Sequence, residues 1–102
     1  MCTEVTGMQN IHTKDVDDLF DAIASLKDRD ECYKFFEDAL TVKEIMDIAQ
    51  RLKAAKMLKA HRSYIEVCQE TGMSTATISR VSKALERGAG GYELVISRME
   101  KK

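Results

Sequence analysis

Between Tyr64 and Leu85 the chain concentrates side chains suited to recognising a polyanion. Ser74, Thr75, Ala76, Thr77, Ser79, Arg80 and Lys83 are short, hydroxylated or basic, and no carboxylate interrupts them before Glu86. Ser and Thr hydroxyls hydrogen-bond phosphates or base edges, an Ala or Thr methyl can touch a thymine methyl, and Arg can grip guanine bidentately. Lys56, Lys59, Arg62, Arg80, Lys83 and Arg87 flank the segment, where they could clamp a phosphate backbone on either side of a groove. Residues 51 to 87 hold eight basic and three acidic side chains, a net of +5. The chemistry on offer is binding, not bond making.

The spacing says which elements must position these groups. In a helix-turn-helix the first helix needs a small residue at its fifth position, where the second helix crosses closely, and Gly at its ninth, where the turn goes left-handed. Cys68 and Gly72 stand there, and Val67, Met73, Ile78 and Val81 supply the apolar inner face. Ser74 or Thr75 can cap the second helix. The plain alternative is that Gly72 only ends a helix and that an Ala/Ser/Thr-rich helix packs against a neighbour.

No other cluster competes. No second His or Cys lies at ligand spacing from His12 or His61, so no metal is expected. Asp15, Asp17, Asp18 and Asp21 crowd the first turns of a helix, where carboxylates favour the positive dipole end, so no catalytic acid pair is needed to explain them. Gly88, Gly90 and Gly91 lack the preceding strand and following Lys of a phosphate loop and read as a hinge or C-cap. Cys2, Cys32 and Cys68 are odd in number and widely spaced, which fits reduced thiols in a cytoplasm. Cys68 reads as a small buried residue, and Met46, Met57, Met73 and Met99 as adaptable packing. Nothing suggests nucleophilic catalysis, and the expectation is no enzyme and no cofactor.

The whole chain has 102 residues, 44% hydrophobic and 32% charged with no Pro and no Trp, which argues for one soluble all-helical domain rather than a disordered or membrane chain. Residues 1 to 12 read as a tail and 13 to 102 as a single domain with a shared core. Apolar periodicity predicts helices over 14 to 27 and 30 to 39. The pair Thr41 and Glu44 predicts a capping box opening a third helix that ends near Ala60, with Ile45, Ile48, Ala49, Leu52, Ala55 and Leu58 on its apolar face. The net charge of -1 hides a division: residues 1 to 47 carry five basic and twelve acidic side chains, a net of -7, and residues 48 to 102 carry eleven and five, a net of +6. Such asymmetry hints at a polyanion-binding face.

The run Glu70-Thr71-Gly72-Met73-Ser74-Thr75-Ala76-Thr77-Ile78-Ser79-Arg80 resembles the reading head of the Trp repressor family. Leu40-Thr41-Val42-Lys43-Glu44 resembles the start of the same family's third helix, and Gly88-Ala89-Gly90-Gly91-Tyr92-Glu93-Leu94-Val95 looks like its YerC/YecD-type branch. The resemblance spans residues 14 to 99 and implies an intertwined homodimer of about six helices per chain, with two projecting reading heads. It also implies a ligand site, in which Arg80 and Arg51 match the two ligand-contacting arginines and Thr41 a further site residue. Val81 stands where the tryptophan binder has Gly, and Ala84 replaces a Ser, so tryptophan is not expected as corepressor. Tyr64 and Cys68 replace polar residues of the repressor's first reading helix, so its operator does not transfer.

The leading expectation is a cytoplasmic, homodimeric, sequence-specific regulator of transcription, in the repressor sense, that binds double-stranded DNA and no membrane, with an unknown small-molecule effector left open. The alternative is an interaction module that docks a protein partner such as RNA polymerase through the same helices.

Overall fold

The computed structural model describes residues 11–100, so residues 1–10 of the expected tail, with Cys2, lie outside the described residues. Six helices follow in order: α1 (Lys14–Ala24), α2 (Arg29–Ala39), α3 (Val42–Lys59), α4 (Tyr64–Thr71), α5 (Thr75–Arg87) and α6 (Gly91–Glu100). The all-helical expectation holds. The chain divides between Leu40 and Thr41 into two compact units.

In the first unit, Thr13 caps α1 by accepting from the Val16 amide at 3.2 Å. The helix ends three residues earlier than its apolar periodicity suggests. Ser25 is its C-cap and donates its hydroxyl to the Ala22 carbonyl, and the Leu26 amide turns back to the Ile23 carbonyl at 3.0 Å. Asp28 caps α2 through the Glu31 amide at 3.0 Å, and the Glu31 carboxylate accepts from the Lys27 amide at 2.8 Å. The polar break is therefore a stop and a start joined by reciprocal hydrogen bonds. Phe35 and Phe36 meet edge to face with ring centroids 5.2 Å apart. Neither α1 nor α2 contains a buried residue, and Phe20 is 53% exposed.

The second unit holds the core. Ala54, Ala55 and Met57 of α3, Val67 of α4, Ile78 and Val81 of α5 and Ile96 of α6 are buried together, with Leu52, Leu58, Cys68, Met73 and Tyr92 packed against them. The buried stripe of α3 is thus narrower than expected and lies in its C-terminal half. Ile48 is half exposed, and Ala54 and Met57 take the central places that periodicity gave to neighbours. Two adjacent alanines without bulk let α4 and α5 approach the α3 backbone closely. Met57 and Met73 pack as expected, whereas Met46 and Met99 are exposed.

Local chemistry fixes the ends. The expected Thr41 capping box forms, with the Glu44 amide donating to the Thr41 hydroxyl at 3.1 Å and the Glu44 carboxylate accepting from the Thr41 amide at 2.9 Å. At the other end His61 adopts φ 67, its amide donates to the Leu58 carbonyl at 2.9 Å, and the Arg62 amide donates to the Met57 carbonyl at 3.0 Å. This paired closure usually uses Gly, and His is among the side chains that tolerate the left-handed region. Gly88 closes α5 by donating to the Ala84 carbonyl at 2.9 Å, and a Cβ there would fall 2.5 Å from that oxygen.

Candidate nucleic-acid interface

The reading head is α4, a three-residue turn and α5. Ser63 opens α4 with a second capping box, accepting from the Glu66 amide at 3.1 Å while the Glu66 carboxylate accepts from the Ser63 amide at 3.0 Å. The Ser-x-x-Glu signature of this box is as legible in the sequence as the Thr-x-x-Glu of Thr41. Gly72 adopts φ 74 and its amide donates to the Cys68 carbonyl at 2.8 Å. A Cβ at Gly72 would meet nothing within 4 Å, so the demand for Gly is conformational rather than steric crowding. Thr71 pins the turn from both sides: its hydroxyl donates to the Val67 carbonyl at 2.6 Å and accepts from the Met73 amide at 3.1 Å.

Of the two candidate caps, Ser74 is the one used. Its hydroxyl accepts from the Thr77 amide at 3.1 Å and shares a hydrogen bond with the Thr77 hydroxyl at 3.0 Å. Ile78 and Val81 bury one side of α5, and Cys68 is half-buried against the core, as the close crossing requires. The remaining face carries Ser74, Thr75, Ala76, Arg80, Lys83 and Arg87, all exposed, with Thr77 and Ser79 half-buried at its margin. This face is free of carboxylate through Lys83 and can offer hydroxyls, methyls and cations to a groove.

The flanking cations separate into two groups. Lys56, Arg80, Lys83 and Arg87 are exposed and take part in no ion pair among the described residues. Lys59 instead bridges to Glu93 at 3.1 Å and Glu100 at 3.8 Å, tying the end of α3 to both ends of α6. Arg62 is clamped by Glu70 at 2.6 Å and Glu66 at 3.2 Å. Hydrogen bonds to Glu70 and then Glu66 raise the Arg62 pKa further above its ordinary range. The Ser63 amide, followed by Arg62, holds the Glu66 carboxyl below its ordinary value. Lys59 and Arg62 therefore brace the head; the i,i+4 spacing of Arg62 and Glu66 is readable in the sequence, whereas the partners of Lys59 lie more than thirty residues away.

The candidate ligand residues are only partly assembled. Arg51 and Arg80 line one cavity of about 330 Å³ with Thr77, Val81, Ala84 and Tyr92. Thr41 is not among its lining residues, and its hydroxyl is engaged in the capping box. Tyr92, outside the residues that the motif's spacing marks, forms a wall of this cavity and also lines an apolar groove with Ile48, Leu52 and Val95.

The family model described as Trp repressor protein matches residues 14–100. A Bacillus subtilis (strain 168) protein, named as the uncharacterized protein YerC, is 45% identical over 93 residues, covering 91% of this chain and 89% of that one. Among solved structures, a TrpR-like protein from Eubacterium eligens superposes with TM-score 0.84 at 50% identity, covering 88% of this chain and 93% of that one. A structure from Staphylococcus aureus superposes with TM-score 0.84 at 46% identity, covering 90% and 92%. Both the sequence match and the arrangement of α3 to α6 lead to the same conclusion: this chain belongs to the Trp repressor family.

Proposed function

We propose that the protein is a sequence-specific DNA-binding regulator of transcription, a repressor that acts in the cytoplasm as a homodimer and has no catalytic role. The observation that carries this reading is the two-sided character of α5. Ile78 and Val81 fix one side in the core, while the other side, from Ser74 to Lys83, is short, polar or basic, exposed except for the half-buried Thr77 and Ser79, and without acid. Helices of this kind enter the major groove with their N-terminal residues at base edges. Thr75, Thr77, Ser79 and Lys83 face bases in this reading, Arg80 holds a guanine or a phosphate, and Lys56 and Arg87 hold phosphates. Lys59 and Arg62 act indirectly.

Support for a homodimer comes from the apolar surface that one chain leaves open. Phe20 and Leu19 of α1 and Ile48 of α3 are exposed, and large apolar residues left in water mark interaction surfaces. Two heads spaced by roughly 34 to 36 Å would read successive major grooves of a palindromic site. Tryptophan is not proposed as effector, because the buried Val81 side chain occupies the place that the resemblance assigns to an indole. Any effector of the cavity between Arg51 and Arg80 would be a small anion. No helix among the described residues is long and apolar enough to cross a membrane.

The test is to neutralise Arg80 and Lys83 and, separately, to alter exposed Ile65 of α4. In the DNA reading, Arg80→Ala and Lys83→Ala weaken duplex binding while Ile65→Ser leaves the protein's in vivo regulation in place. The opposite pattern, regulation insensitive to both cations and lost with Ile65, would identify a module that docks a protein such as polymerase.

A further inference from the structure

A second polar cleft, of about 480 Å³, opens between the N-terminal half of α3 and the turn of the reading head. Lys43, Asp47, Gln50 and Arg51 follow along α3 at four-, three- and one-residue steps, and Gly72 and Thr77 line the opposite wall. We infer that this cleft seats one DNA backbone phosphate, extending the DNA-contacting surface to the N-terminal half of α3; the inference rests on the DNA-binding reading above.

Three observations favour that occupant. The first is charge: Lys43 and Arg51 carry two positive charges and Asp47 one negative, a net of +1 that matches a single phosphodiester. Asp47 holds the Lys43 ammonium at 2.9 Å, yet the Lys43 side chain remains 83% exposed and can reach a second anion without leaving its partner. The second is Gln50, whose side-chain oxygen is buried without a hydrogen-bond partner. Gln50 also lines the cleft, where an amide NH2 can donate to a phosphate oxygen. The third is continuity, since Thr77 belongs both to this cleft and to the first turn of α5, and the Ser74 hydroxyl at 3.0 Å orients its side chain. The Thr71 hydroxyl, already committed to Val67 and Met73, holds the wall in place and is not a ligand.

The arrangement predicts opposite effects from neighbouring changes on α3. Binding of the full-length protein to its selected duplex is measured across a salt series. Lys43→Met lowers affinity several-fold on every duplex and reduces the log-log salt slope by about 0.9, the release expected for one phosphate. Gln50→Met weakens binding with the slope unchanged, Asp47→Asn tightens it, and Lys34→Met on α2 alters neither. Replacing backbone phosphates one at a time by neutral methylphosphonates then reveals one position where wild type loses affinity and Lys43→Met loses little more. An unchanged slope in Lys43→Met, or additive losses at every phosphate, would overturn the cleft assignment while wild-type binding leaves the DNA reading intact. A wild-type protein that binds no duplex would remove the DNA reading itself, and the phosphate seat with it. Thermal melting of each variant separates these effects from misfolding.

Discussion

The two halves of the chain solve the problem of apolar surface differently. Helices α3 to α6 bury Ala54, Ala55, Met57, Val67, Ile78, Val81 and Ile96 among themselves, whereas α1 and α2 bury no residue within the chain. The charges divide in parallel, with the acidic side chains concentrated before Ile48 and the basic ones after it. The α4–α5 unit therefore has its geometry fixed by its own chain, while the acidic unit leaves Leu19 and Phe20 of amphipathic α1 exposed, a surface open to a partner. In the homodimer reading that partner is a second copy, so assembly and recognition are separable properties of one small protein.

The sharpest way to break this contrast is to damage each half in turn. Ile78→Ala removes fully buried bulk from the middle of the core, and a loss of about 2 to 5 kcal/mol is expected in urea unfolding, with no dependence of that loss on protein concentration. Phe20→Ala, at an exposed position, is expected instead to weaken association, so that its melting temperature becomes strongly concentration-dependent. Equal and concentration-independent losses from both variants would erase the distinction between the halves.

Within the head, the free and the clamped cations sharpen the comparison. Arg87→Ala is expected to weaken DNA binding uniformly across sequences and to reduce the salt slope by about 1, the mark of a phosphate contact, while Arg80→Ala costs about 1 to 3 kcal/mol at one base pair if the guanidinium meets a guanine. Arg62→Ala, by contrast, should leave the slope unchanged and lower thermal stability, because its partners are Glu66 and Glu70. Salt-series titrations on a panel of single-base variants distinguish these outcomes.

Backbone changes come next in size. Gly72→Ala places a Cβ on a residue at φ 74 and is expected to cost about 1 to 2 kcal/mol, although space around it is open. Ser63→Ala removes the α4 cap at about 1 kcal/mol, read by thermal unfolding.

The smallest effect is one of pH. The Glu66 carboxyl titrates lower in the folded protein than its ordinary value of 4.5, so ionised Glu66 stabilises α4 fully above that value. The contribution fades as pH falls through the lower folded value. Glu66→Gln should flatten this acid-side dependence without changing the neutral-pH affinity for DNA, and a curve unchanged by the substitution would remove Glu66 from the account.

Much of this arrangement was legible in the chain because it is local. The Thr41 box, the Gly72 turn and the alternation of buried Ile78 and Val81 with exposed Arg80 and Lys83 depend on residues within a few positions of one another. What periodicity missed depends on contacts across the fold. Ala54 and Met57 became central because α4, α5 and α6 close on one half of α3, and Lys59 lost its place in the candidate interface to carboxylates more than thirty residues away. Tyr92 entered the site for the same reason. Helix α1 ended early because Ser25 turned back on its own backbone, a local competition that an apolar stripe does not report.

The claim that the α5 face reads DNA is tested most directly by incubating the purified full-length protein with random-sequence duplexes at physiological salt and sequencing those retained. The account predicts enrichment of a two-fold symmetric site, its half-sites about one helical turn apart, with retention lost in Lys83→Ala. Retention without any enriched sequence, fading as salt rises and indifferent to Lys83, would contradict it.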